Sequence, residues 1–125
     1  GERVLSPGMK YRHYAPKAEG VLIDGRAESA CKYIRDAGIT DSTAIIAYTE
    51  DIPAFEATFP TVRIIDFGSR DNELEQAHRL FALLRDADHA ELTRIYAPLP
   101  SKDGIGLALY NRMIRAAAYN IVKLK

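Results

Sequence analysis

Thr43-Ala44-Ile45-Ile46-Ala47-Tyr48 is an uninterrupted apolar run. A strand with one wet face alternates apolar and polar residues, whereas one covered on both faces reads as continuous hydrophobic sequence. This run therefore predicts a central strand of a parallel sheet, with helices above and below it. The flanking sequence agrees. Val62 to Phe67, reading VRIIDF, is a further strand, and Val21-Leu22-Ile23, stopped by Asp24-Gly25, precedes both. Thr93-Arg94-Ile95-Tyr96-Ala97 is the fourth.

Helical periods fill the intervals. Ala27, Ala30, Cys31, Ile34 and Ala37 recur at helical spacing, and Gly38 supplies the stop. About a dozen residues around Pro53-Ala54-Phe55 and Pro60 join the second and third strands, room for a short helix at most. Asp71 or Asn72 caps the next helix, with Glu73 and Glu75 set against its N-terminal dipole. Leu74, Ala77, Phe81 and Leu84 form its expected buried stripe, supported by Leu80 and Leu83. A last helix is expected from Ile105 to Val122, with Leu107, Tyr110, Ile114, Ala117 and Ile121 inward and Asn111, Arg112 and Arg115 outward. Strands alternating with helices imply an α/β fold. The expectation is a small three-layer Rossmann-like sandwich, its mainly parallel sheet of four strands in the order 3-2-1-4, helices on both faces.

Composition narrows the function. The 125 residues balance 17 basic against 17 acidic side chains. A dedicated nucleic-acid binder shows a basic excess, so no direct DNA binding is expected. Cys31 is the single cysteine, which excludes an internal disulfide and fits a reducing cytoplasm. No apolar stretch approaches the ~18 residues of a membrane span.

Open parallel sheets collect ligands where strand order reverses, at the carboxyl ends of the strands. In the expected topology that crevice would be lined by Asp24, Gly25, Pro98, Leu99 and the Gly104/Gly106 turn. Gly104-Ile105-Gly106 could hold a phosphate on free backbone N–H groups, but it lacks the third glycine of a dinucleotide fingerprint. A tight start to the last helix explains it better. Asp24, Thr49, Glu50, Asp51, Asp66 and Ser69 also fall near strand ends, where acids can coordinate Mg²⁺ but where Asp and Ser are routine caps. Three separated histidines lack metal-ligand spacing, so no metal site is expected. Cys31 sits on an apolar stripe and reads as a buried structural thiol. From residue 18 onward nothing assembles a nucleophile, a base and an oxyanion donor, and the chain by itself is not expected to catalyse a reaction or to bind a cofactor.

The opening segment is different in kind. Ser6-Pro7-Gly8-Met9-Lys10-Tyr11-Arg12-His13-Tyr14-Ala15-Pro16 lies outside any hydrophobic period and contains no acid. Arg12 can grip a phosphate or carboxylate bidentately, Lys10 adds a point charge, and Tyr11 and Tyr14 can stack or donate hydrogen bonds. This string resembles the linker between the two domains of the long form of threonylcarbamoyl-AMP synthases, in the YrdC-like superfamily. The remainder, including Gly104-Ile105-Gly106-Leu107-Ala108 and Asn111-Arg112, resembles the small α/β domain that follows that linker.

The resemblance implies residues 1–17 as interdomain linker and 18–125 as C-terminal α/β domain, the YrdC-like catalytic domain being absent from this chain. It implies a parent enzyme that joins L-threonine, bicarbonate and ATP, with Mg²⁺, into threonylcarbamoyl-adenylate for tRNA modification. It also implies that Lys10, Tyr11, Arg12, His13 and Tyr14 belong to a lid over the catalytic cleft. Two alternatives stay open: a small-ligand or nucleotide-binding module using its own crevice, and a non-catalytic docking domain.

Overall fold

The computed structural model describes residues 18–89, 91–102, 105–117 and 120–124. Five strands, β1 (Glu19–Asp24), β2 (Thr43–Ala47), β3 (Arg63–Asp66), β4 (Arg94–Pro98) and β5 (Ile121–Lys123), form one parallel sheet in the order β3-β2-β4-β1-β5. Between them run α1 (Ala27–Ala37), a 3₁₀ turn (Thr49–Asp51) leading directly into α2 (Ile52–Thr58), α3 (Glu73–His89) and α4 (Ile105–Ala116).

The α/β sandwich is as expected; the order and number of strands are not. The order 3-2-1-4 sets strand 1 beside strand 2, but β4 lies between them, and Ile95 is in register with Ala44 on one side and Gly20 on the other. An apolar run says that a strand is buried and not which backbone donates to it, so neighbours are invisible to periodicity. The fifth strand was expected as the end of the last helix. Instead α4 stops at Ala116, and the chain returns to the sheet through bonds from Leu22 N to Asn120 O (3.0 Å) and from Leu124 N to Asp24 O (2.8 Å). Ile121 falls at helical spacing from Ala117 and Ile114, which disguised the change of period.

Side-chain alternation along each strand separates two cores. Val21, Ile23, Ile45, Ala47 and Tyr96 pack on one face with Ala30, Cys31 and Ile34 of α1 and Phe55 of α2. Leu22, Ala44, Ile46, Ile95 and Ala97 pack on the other with Leu80 of α3 and Leu109 and Met113 of α4. Gly20 permits the second packing, since a Cβ there would stand 3.2 Å from the Cα of Ala117. Among the described residues the sheet ends in two short margins, β3 with exposed Arg63 and β5 with exposed Lys123.

Two helix faces differ from expectation. Leu74 is 62% exposed and Leu107 48% exposed. On α3 the described core-facing line runs through Gln76, Leu80 and Leu83, and Leu74 lies about 200° around the helix from Gln76. On α4 the buried line is Leu109, Met113 and Ala117, which turns Leu107 outward; Ile114 and Ile121 are partly buried against the same core, and Asn111, Arg112 and Arg115 are exposed as expected. The side chains of Phe81 and Leu84 lie outside the described residues.

Candidate functional site

The carboxyl ends of β2 and β3 are tied together by a polar network. Thr49 Oγ1 donates to Asp66 Oδ1 at 2.6 Å, and the Gly68 amide donates to the same oxygen at 2.9 Å. Thr49 N in turn donates to Gly68 O at 3.0 Å. Glu50 receives the Ser69 hydroxyl at 2.5 Å and the Arg70 amide at 2.8 Å. Beneath this loop Gln76, 1% exposed, donates from Nε2 to the carbonyls of Ser69 (2.8 Å) and Arg70 (3.2 Å). Burying an amide is expensive unless it is bonded, and these two bonds fix the loop path.

These contacts set the ionisation of the acids. The Ser69 hydroxyl and Arg70 amide hold the Glu50 carboxyl below the usual glutamate range. The Thr49 hydroxyl, the Gly68 amide and the Arg79 guanidinium do the same for Asp66. Their bonded oxygens are thus occupied by protein donors, an arrangement that suits a structural clasp and does not suit a Mg²⁺ ion. Among the described residues no group of three His, Cys, Asp or Glu side chains is placed to hold a metal.

Arg70 is the pivot between this clasp and the crevice. Its Nη2 donates to Asp51, and its guanidinium lies 5.1 Å from the centre of the Tyr48 ring. Tyr48 stacks on Phe67 at 6.0 Å with an interplanar angle of 26°. Burial raises the Tyr48 phenol above its ordinary pKa, with the nearby Arg70 opposing that shift. One face of the phenol ring therefore packs on the core while a cation is held over it.

Beside Arg70 a cavity of about 530 Å³ opens at the carboxyl ends of β1, β2 and β4, between α1 and α2. Ile23, Ile45 and Phe55 contribute apolar lining, and Arg26, Glu28, Asp51 and Arg70 contribute charge. Of the residues singled out in the sequence for the crevice, Gly25 and Pro98 line this cavity. Asp24 ends β1 with its side chain exposed and is not among the lining residues. A Cβ on Gly25 would stand 2.9 Å from Cβ of Leu124, so the glycine admits the close approach of the chain just past β5. Gly106 falls in the first turn of α4, and Gly104 lies outside the described residues. Lys10, Tyr11, Arg12, His13 and Tyr14 also lie outside them.

Cys31 is buried and unpaired, and His78 is exposed. Arg26, Tyr48 and Arg70 escaped the sequence reading. The available signal was modest: one cation directly after the first strand's turn and another two residues past Gly68, both flanking strand ends.

A family model described as threonylcarbamoyl-AMP synthase, C-terminal domain, matches residues 1–118. The chain belongs to that family. It is 32% identical to the threonylcarbamoyl-AMP synthase of Pyrococcus abyssi, a match covering 95% of this chain and 34% of that protein. The crystal structure of P. abyssi Sua5 complexed with L-threonine is similar at a TM-score of 0.70 and 27% identity, covering 100% of this chain and 35% of that one. The C-terminal Sua5 domain from Pyrococcus horikoshii is similar at 0.57 and 26%, covering 88% of this chain and 100% of that one. This chain spans about a third of the length of the curated relatives that it matches. Among the described residues no helix is long and apolar enough to cross a membrane.

Proposed function

We propose that this chain is the regulatory and gating C-terminal domain of an enzyme that makes threonylcarbamoyl-adenylate from L-threonine, bicarbonate and ATP for tRNA modification. In this reading chemistry belongs to a YrdC-like catalytic domain, where ATP and Mg²⁺ bind, and residues 1–17 link that domain to residues 18–125. Lys10, Tyr11, Arg12, His13 and Tyr14 form a lid over its cleft. A lid that excludes water protects a carbamoyl-adenylate from hydrolysis, and Arg12 offers a bidentate grip on phosphate or carboxylate.

The observation that carries the reading is where the sheet receives this segment. Ala18, buried to 7% exposure, leads into Glu19 at the amino end of β1, and Glu19 is clamped there. Its Oε1 accepts from Arg94 Nε at 3.2 Å and Nη2 at 2.9 Å, while its amide donates to Thr93 O at 2.9 Å. The cavity lies at the opposite, carboxyl edge. The chain thus enters the sheet at the edge opposite this domain's own crevice, as suits a preceding segment that serves a neighbouring site. Membership of the synthase family supports the same reading.

The test is made in the longer protein that carries this chain. Arg12→Ala and Tyr14→Phe are each expected to slow adenylate formation at least tenfold, with the domain's thermal unfolding unchanged. A rate indifferent to both substitutions removes the lid from the mechanism.

A further inference from the structure

We propose that the cavity at the carboxyl edge is a binding site for a compact apolar or aromatic molecule bearing one anionic group, a carboxylate or a phosphate. Its volume, about 530 Å³, is that of a small-molecule site and far more than a bare ion needs. The apolar lining fixes the body of the ligand. Ile23, Ile45 and Phe55 are each no more than 6% exposed and present only hydrocarbon, so a fully polar guest would be desolvated there without partners.

The charged rim fixes the head group. Arg70 is held from three directions: Asp51 accepts from Nη2, Glu50 accepts from its backbone amide at 2.8 Å, and Tyr48 lies under the guanidinium. Its side chain nevertheless remains 49% exposed at the cavity. A cation fixed in advance loses little freedom when it meets an anion, which is the condition for a strong charge-assisted contact. Arg26 also lines the cavity, 87% exposed and paired with Glu28 only at 3.7 Å, a loose contact that an incoming anion can replace. The acids at the rim do not favour a cationic guest. Asp51 is committed to Arg70, and Glu28, 84% exposed, is directed largely to water. The cavity also lies where loops from β1 and β2 turn to one face and the loop from β4 turns to the other, the position at which open parallel sheets receive ligands.

This site is independent of the gating reading, since none of its residues belongs to the strip before β1. Titration calorimetry on the 125-residue chain separates the possible sources of the anion. The probes are AMP for a phosphate on an aromatic body, hexanoate for a carboxylate on an aliphatic one, adenosine without the anion, and inorganic phosphate without the body. Saturable binding of AMP or hexanoate is expected, at least tenfold tighter than adenosine and inorganic phosphate. Arg70→Gln should weaken it at least tenfold. Ala54→Phe, which fills the opening from an exposed position on α2, should abolish it with the melting temperature retained. Absence of saturable binding by both AMP and hexanoate overturns the proposal, as does affinity unchanged in Arg70→Gln and Ala54→Phe.

Discussion

Thr49 and Asp66, seventeen positions apart, meet through a 2.6 Å hydrogen bond that closes the ends of β2 and β3 into one unit. The bonded carboxyl is held below the ordinary aspartate range by that hydroxyl, by the Gly68 amide and by Arg79. The folded state therefore binds this proton less readily than the unfolded chain does. Its stabilising contribution is complete above the unfolded pKa of about 4 and is lost as pH falls through the lower folded value. Asp66 is 42% exposed, so the contribution is screened and amounts to about 1 kcal/mol. Urea midpoints near pH 6 and near pH 3 should differ less for Asp66→Asn than for the parent chain. An unchanged difference would show that Asp66 does not drive the acid response.

Leu80 and Leu74 occupy the same helix and should respond to truncation to very different extents. Leu80 is 2% exposed within the core shared by α3 and α4, and Leu80→Ala should cost roughly 2–5 kcal/mol. Leu74→Ala, at a site 62% exposed, should stay within about 0.5 kcal/mol. Denaturant unfolding of the two variants checks both values together.

Gly38 ends α1 with φ 107° and ψ 151° while donating from its amide to Ile34 O at 2.9 Å. That region is open essentially to glycine alone, and a Cβ there would meet nothing within 4 Å. The cost of Gly38→Ala is then backbone strain without a clash, about 1–3 kcal/mol. Asparagine, which relieves many left-handed caps, should give no rescue here. Equal stability of the Asn variant and the parent would contradict the assignment.

Cys31 is 6% exposed on the sheet-facing side of α1. Alkylating reagents should leave the native chain unmodified and label it only as it unfolds, the modification rate following the opening of the α1 face. Rapid labelling under native conditions would place the thiol at the surface.

Much of the architecture was legible because burial writes itself into composition. TAIIAY reads as a strand covered on both faces, and β2 is buried at every position from Thr43 to Ala47. What escaped notice was relational. Ile95 gives no sign that Ala44 and Gly20 both lie beside it, since those contacts are backbone to backbone. Leu74 and Leu107 were misplaced because a leucine near a helix start fits a stripe as well as it fits the exposed flank. The site was legible in part: Gly25, Asp51 and Pro98 line the cavity, but Arg70 acquires its importance from Asp51 and Tyr48, which converge on it only after folding.

The two margins of the sheet, as the described residues form it, have a further consequence for life at high concentration. A second molecule approaching edge to edge would find four residues of β3 or three of β5, each run carrying an exposed cation. So short and charged a template offers no runway for fibre growth by strand recruitment.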